Sequence, residues 1–136
     1  MIKKDKYKIS DCKVKAKRSS AGLGLFAMED IKKGTCIIEY FGRTISKEEE
    51  YKSNSKYLFE INSRRTIDGA IRSNTARYVN HSCRPNVEPE IWQGRVFYMA
   101  KKNIKNGEEL TFDYGKEYFD EHIKPIGCKC EKCKTK

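Results

Sequence analysis

Turn signals interrupt this chain so often that no apolar run has room to become a long helix or a long strand. Lys33-Gly34, Asn62-Ser63, Gln93-Gly94 and Asn106-Gly107 each separate short apolar stretches. Between them, "CKVKAK" from Cys12 alternates like a strand, and "CIIEYFG" from Cys36 is β-branched and aromatic. "KYLFEIN" and "RTID" read as one hairpin, "NVEPEIW" and "RVFYMAKK" as another, and "LTFDYG" as a last short strand. Two segments read as short helices. "SKEEEYKSN" opens with Ser46 and Glu49 at capping-box spacing, and "SNTARYVNH" offers Ser73 or Asn74 as N-cap. "SSAGLG" reads as a turn in which Gly22 and Gly24 can take positive φ. The expected class is mostly β: several small sheets with short helical insertions. No repeat or low-complexity linker divides the 136 residues, enough for one domain with a modest core.

Lys and Arg number 29 against 19 Asp and Glu, a net charge of +10. Such a surplus suits acidic partners, nucleic acid first. The lysines look scattered along the sequence, however, which suits ordinary solvated faces equally well. No stretch approaches the roughly 20 apolar residues of a membrane span. The start, "MIKKDKYKIS", is charged and lacks the apolar centre of a leader peptide. No membrane association and a cytoplasmic location are therefore expected, and both nuclear action and leaderless export are compatible with the sequence. In that reducing setting six cysteines point to metal binding or catalysis ahead of disulfides.

"GLGLFA" satisfies the dinucleotide fingerprint G-x-G-x-x-G/A, but its context fails. "KVKAKRSSA" precedes it where an apolar strand is needed, and the turn at Gly34 leaves no room for the helix. The tail "CKCEKC" is more telling. Cys130 and Cys133 form the C-x-x-C that two thiolates use on one zinc, and Cys128 adds a third. A structural zinc wants four ligands, so one of Cys12, Cys36, Cys83, His81 or His122 would complete the set. Cys36 and Cys12 sit in strands and read as small hydrophobes. Cys83, in a polar turn stiffened by Pro85, is the best fourth ligand. "RYVNHSCRPN", Arg77 to Asn86, then admits three readings: a Cys-His nucleophile pair, half a metal site, or a plain turn.

With "AGLGLFA", "IIEYFG", "ARYVNHSCRPN", "GEELTFDYG" and "CKCEKC" in this order, the chain resembles the SET-domain protein lysine methyltransferases from about Lys13 to Cys133. The resemblance implies small β-sheets around a knot-like crossing, in which the "NHSC" segment passes beneath the loop leading to "FDYG". It implies a basic extension over 1–7, a catalytic SET domain over 8–119 and a zinc-binding tail over 120–136. The family's tail is usually C-x-C-x4-C; here the last gap is two residues shorter. Zinc would be structural, held by Cys83, Cys128, Cys130 and Cys133.

The implied reaction takes a methyl group from S-adenosylmethionine to a lysine amine of a protein, a histone or another basic protein. Tyr114 matches the catalytic tyrosine, in an orienting role. Phe112 matches the position that sets product order, where a phenylalanine leaves room for di- or trimethylation. Tyr57 matches a channel tyrosine, with a strand aromatic packed against a sheet as the alternative, and Tyr78 is a second candidate wall. Gly22, Leu23 and Gly24 would cradle the donor through their backbone, Asn80 and His81 would bind it, and Tyr118 and Phe119 would stack on its adenine. Arg77 would support the site from the helix. Glu48 to Glu50, Glu88, Glu90, Asp120 and Glu121 are candidates to line a groove for a basic substrate. The main alternative is a small zinc-dependent nucleic-acid-binding module, which leaves "NHSCRPN" and "EELTFDYG" unexplained. A degenerate, partner-binding domain is a third reading, weakened by Tyr114, Asn80 and His81. A cysteine hydrolase is disfavoured, because residues two apart on a helix do not face each other. Oligomeric state is left open.

Overall fold

The structure, a computed structural model, describes residues 7–10, 12–19, 22–55 and 57–115. Its strands are β1 (Val14–Ser19), β2 (Gly22–Ala27), β3 (Cys36–Tyr40), β4 (Arg43–Ser46), β5 (Leu58–Glu60), β6 (Arg65–Asp68), β7 (Asn80–His81), β8 (Val87–Trp92), β9 (Arg95–Ala100) and β10 (Glu109–Phe112). A helix, α1 (Lys47–Lys52), follows β4, and a 3-10 turn (Thr75–Tyr78) precedes β7. The strands form three small sheets, ordered β1-β2-β10-β7, β3-β9-β8 and β4-β6-β5. This is the mostly β architecture that the spacing of turn signals predicts.

Local chemistry explains the elements. β9 reads as an unbroken apolar run because Val96 to Ala100 are all buried, in the middle strand of its sheet. Its partner β8 carries Pro89 and lies at the sheet edge, where a missing N–H is tolerated. The two join through Gln93 and Gly94, at φ 51° and 76°. That is the pair of positive angles a type I′ hairpin requires. α1 is capped as expected: the Ser46 hydroxyl accepts the Glu49 N–H at 3.2 Å. The Glu49 carboxylate does not complete the box; it pairs with Arg43 at 2.9 Å.

Two expectations need correction. The expected turn "SSAGLG" does not extend to its glycines: Gly22 to Gly24 already belong to strand β2, which pairs with all of β1. Only Gly22, at φ 101°, takes the left-handed geometry. Leu25 and Ala27 are fully buried, and their burial draws the segment into the sheet. The second expected helix shrinks to the single turn Thr75–Tyr78. Asn74 does not cap it. Its side chain is buried, donating to the Gly69 carbonyl at 2.9 Å and accepting from the Phe41 N–H at 3.3 Å.

All three sheets feed one core, with Leu25 and Leu110 from the first, Tyr98 from the second and Ile67 from the third. Cys36 is buried as expected, and burial pushes its thiol up to about 11, which keeps it protonated and apolar. Cys12 packs half-buried on the core. Among the described residues no helix is long and apolar enough to cross a membrane.

Candidate active site

β7 is only two residues long, but its parallel pairing with β10 sets Asn80 beside Thr111 and His81 beside Phe112. The chain after β7 stays stitched to β10. Ser82 N–H donates to the Phe112 carbonyl at 3.1 Å, and Asn86 N–H to the Thr111 carbonyl at 3.2 Å. The Asn86 side chain donates to the Glu109 carbonyl at 2.8 Å and accepts from the Thr111 N–H at 2.9 Å. The segments "NHSCRPN" and "EELTFDY", far apart in sequence, thus lie side by side.

Tyr114 sits at their junction. Its hydroxyl donates to the Val79 carbonyl at 2.7 Å, and its backbone N–H donates to His81 Nδ1 at 3.1 Å. Its ring lies 4.6 Å from Phe112, and the His81 ring meets it edge-on at 5.4 Å. Phe112, two residues before Tyr114 at the end of β10, is also a core residue, 8% exposed, against Tyr98 at 5.2 Å and Phe59 at 6.4 Å. Tyr40 closes the group against Phe59 and Tyr98. Tyr40, Phe59 and Tyr98 read in sequence only as apolar strand residues; the contacts of Phe59 and Tyr98 with Phe112, and of Tyr40 with both, need the sheets assembled.

His81 is neutral. Burial holds its imidazole below the ordinary range, partly opposed by Asp113, whose carboxylate lies 3.8 Å away but is well exposed. Since Nδ1 accepts from Tyr114, the ring proton must reside on Nε2. That atom lies 3.5 Å from Cys83 Sγ. Here the sequence expectation fails: His81 and Cys83 do face each other. The segment is extended rather than helical, so residues two apart share a side.

Asn80 links this strip to β2. Its amide nitrogen shares its two N–H groups among the Leu23 carbonyl at 2.9 Å, Glu109 Oε2 at 2.9 Å and, more weakly, Ser19 Oγ at 3.2 Å. Gly24 lies under the same carboxylate, for a Cβ there would stand 2.3 Å from Glu109 Oε2. Glu109 and Ser19 escaped the sequence reading. The signal for Glu109 was the alternation of "ELTF", which sends Leu110 and Phe112 inward and Glu109 and Thr111 to Asn80's side.

Tyr57 is placed just before β5. Its carbonyl accepts from the Tyr40 hydroxyl and from the Gly69 N–H. Its ring carries the Arg77 guanidinium at 5.3 Å, and Tyr78 carries it at 4.8 Å. Arg77 therefore bridges the two candidate channel tyrosines, which connect to Phe112 through Tyr40 and Phe59. Tyr118, Phe119, Cys128, Cys130 and Cys133 lie outside the described residues. Among the described residues no cluster of three or more His, Cys, Asp or Glu could hold a metal.

A SET-domain family model matches residues 22–115, which contain every element of this site from Gly22 to Tyr114. The chain belongs to the SET-domain family. This SET domain is similar to histone-lysine N-methyltransferase trr of Drosophila melanogaster, at 38% identity over 132 residues and 88% of the chain. It is similar to human histone-lysine N-methyltransferase 2D, at 36% over 121 residues and 80% of the chain. It spans only 5% and 2% of the lengths of those two relatives. Among solved structures it resembles ctPRC2 in an autoinhibited conformation bound to S-adenosylmethionine. That match has TM-score 0.71 and 35% identity, and covers 78% of this chain and 15% of the other.

Proposed function

We propose that this SET domain methylates the side-chain amine of lysine in a protein, with S-adenosylmethionine as donor. The observation that carries the reading is the Tyr114 setting: a tyrosine fixed at both its backbone and its hydroxyl, on an aromatic wall, one strand from Asn80 and the Gly22–Gly24 arm. Bound S-adenosylmethionine supplies an activated methyl group. The chain suits such a molecule along β2 and β7, where the Asn80 amide fixes the Leu23 carbonyl and Gly24 lets the Glu109 carboxylate approach the backbone, which sets the polar groups that would face the donor.

The remaining work belongs to the protein. Free lysine, with a pKa of about 10.4, is protonated near neutrality and has no lone pair to offer. Phe112, Phe59 and the ring of Tyr114 make a wall that disfavours an ammonium by desolvation. Tyr57 and Tyr78, gathered by Arg77, would continue that wall toward the surface. The Tyr114 hydroxyl, held at the Val79 carbonyl, then orients the neutral amine for in-line attack. Phe112 has no hydroxyl to hold a restricting water, so di- and trimethylation are accessible. Neutral His81 keeps Tyr114 in register through its Nδ1.

A structural zinc fits the same turn. The Nε2–H of His81 points at Cys83 Sγ, the polarity that supports a thiolate ligand. Cys83 with Cys128, Cys130 and Cys133 would hold the ion, tying a tail over 120–136 to a catalytic domain over 8–119, with Tyr118 and Phe119 brought over the donor. A histone is the favoured substrate, given the relatives' names, and would set the site of action at chromatin.

Tritiated donor, a mixed histone substrate and Tyr114→Phe test the proposal. Wild type should label histone, and Tyr114→Phe should lose at least about 100-fold in rate, the scale of one lost positioning contact. Absence of labelling together with absence of donor binding by calorimetry would refute it.

A further inference from the structure

The lysines that look scattered in sequence are gathered by the fold. Two turns, 29–35 and 101–107, are locked together by paired bonds between Ile31 and Ile104, at 2.7 and 2.8 Å. Gly34 N–H donates to the Ala100 carbonyl and Ala100 N–H to the Thr35 carbonyl, both at 2.8 Å. The Asn103 side chain accepts the Lys33 N–H at 2.8 Å, and Asp30 accepts the Asn106 N–H at 2.9 Å. Lys32, Lys33, Lys101, Lys102 and Lys105 all stand exposed on this rigid pair of turns. Among the described residues none of the five is ion-paired.

The nearby carboxylates are turned to the main chain. Besides Asp30, Glu108 accepts the Lys105 N–H at 3.1 Å and Glu29 the Lys13 N–H at 2.7 Å. The apolar residues of the two turns, Ile31 and Ile104, are buried at 3% and 1% exposure. What faces outward is mainly lysine, asparagine and glycine, with Asp30 exposed among them and its carboxylate taken by the Asn106 N–H; an open cleft bordered by Glu29, Asp30, Ile31, Lys32 and Thr35 lies at one side of the face. A regular polyanion fits such a face by charge alone. The face also lies away from the chemistry. Lys105 precedes β10 and Tyr114 follows it, and a four-residue strand rises about 13 Å.

We propose that the paired lysine turns dock the SET domain on the phosphate backbone of duplex DNA, independent of sequence, with the methyl-transfer site left open at the other end of β10. A lysine-bearing protein already seated on DNA would then be presented to the site at high local concentration.

Fluorescence anisotropy of the full chain with a labelled 30-base-pair duplex, at several salt concentrations, tests this directly. Four phosphate contacts predict binding that weakens about 100-fold between 50 and 200 mM salt. Replacing Lys32, Lys33, Lys101 and Lys102 by Gln should lower the slope of log K against log salt by about 1 per lysine. A control with Lys15, Lys52, Arg64 and Arg65 replaced by Gln removes the same charge elsewhere and should keep most of the wild-type slope. Circular dichroism melts verify that both variants fold. Absence of DNA binding by wild type, equal losses in the two variants, or binding to anionic vesicles or an acidic peptide but not to DNA would each overturn the proposal.

Discussion

Asn80 is the residue on which the two halves of the site depend, because a single amide holds the Leu23 carbonyl, the Glu109 carboxylate and the Ser19 hydroxyl. Asn80→Ala should weaken donor binding roughly tenfold, the effect of losing about 1.4 kcal/mol of hydrogen bonding. Asn80→Asp should be worse than Ala, despite its matching shape, because it sets a second carboxylate against Glu109. Calorimetric titration with S-adenosylmethionine near pH 7 gives the ordering; equal affinities for the two variants would contradict the Glu109 contact. That Asn80, His81, Phe112 and Tyr114 belong together could be proposed from sequence because each sits in a contiguous, distinctive segment, and the structure does bring them side by side. Glu109 was not singled out: the alternation of "ELTF" gives the side of the strand it takes, but its contact with Asn80 exists only once β10 and β7 have paired. His81 and Cys83 were misjudged for a related reason: whether residues two apart meet depends on extended or helical backbone, and short polar sequences leave that choice to tertiary pairing.

At the scale of elements, α1 is anchored by one buried hydroxyl. Thr66 of β6, fully buried, donates to the Glu50 carboxylate, while Lys47 Nζ reaches both groups at 3.1 Å. The Thr66 hydroxyl, with help from Lys47, holds the Glu50 carboxyl below its ordinary range. A depressed carboxyl stabilises the fold above its ordinary value, near 4.3, and loses that contribution as pH falls through the folded value. Thr66→Val should therefore cost about 1 kcal/mol at pH 7. The difference from wild type should shrink as the pH is lowered below 4. Urea denaturation at the two pH values measures both. Hairpins such as β8–β9 were readable down to their turn residues, because Gln93-Gly94 and the flanking alternation act locally. The strand character of Gly22 to Gly24 in "SSAGLG" was not, since two glycines signal a turn until Leu25 and Ala27 find a core to enter.

For the whole molecule, the class was legible from turn spacing, but the way three sheets converge on Phe112 was not, because no local signal encodes it. The same holds for the lysine turns, which meet across residues 31 and 104. The proposed zinc is a test at this scale. Metal analysis should find about one zinc per chain. Cys83→Ser should lose it and Cys12→Ser should retain it; zinc retained by Cys83→Ser would remove Cys83 from the ligand set. Finally, β7 and β10 are parallel, so no tight turn can join them, and the chain must lay down the whole β8–β9 hairpin between the two. The strip that orients Tyr114 is thus a contact of high sequence separation, closed late and slowly. A nascent chain that has not yet delivered residues 109–114 has all the strands of the β3-β9-β8 and β4-β6-β5 sheets but lacks the strand that joins β2 to β7, so the proposed site is assembled only when that last strand arrives.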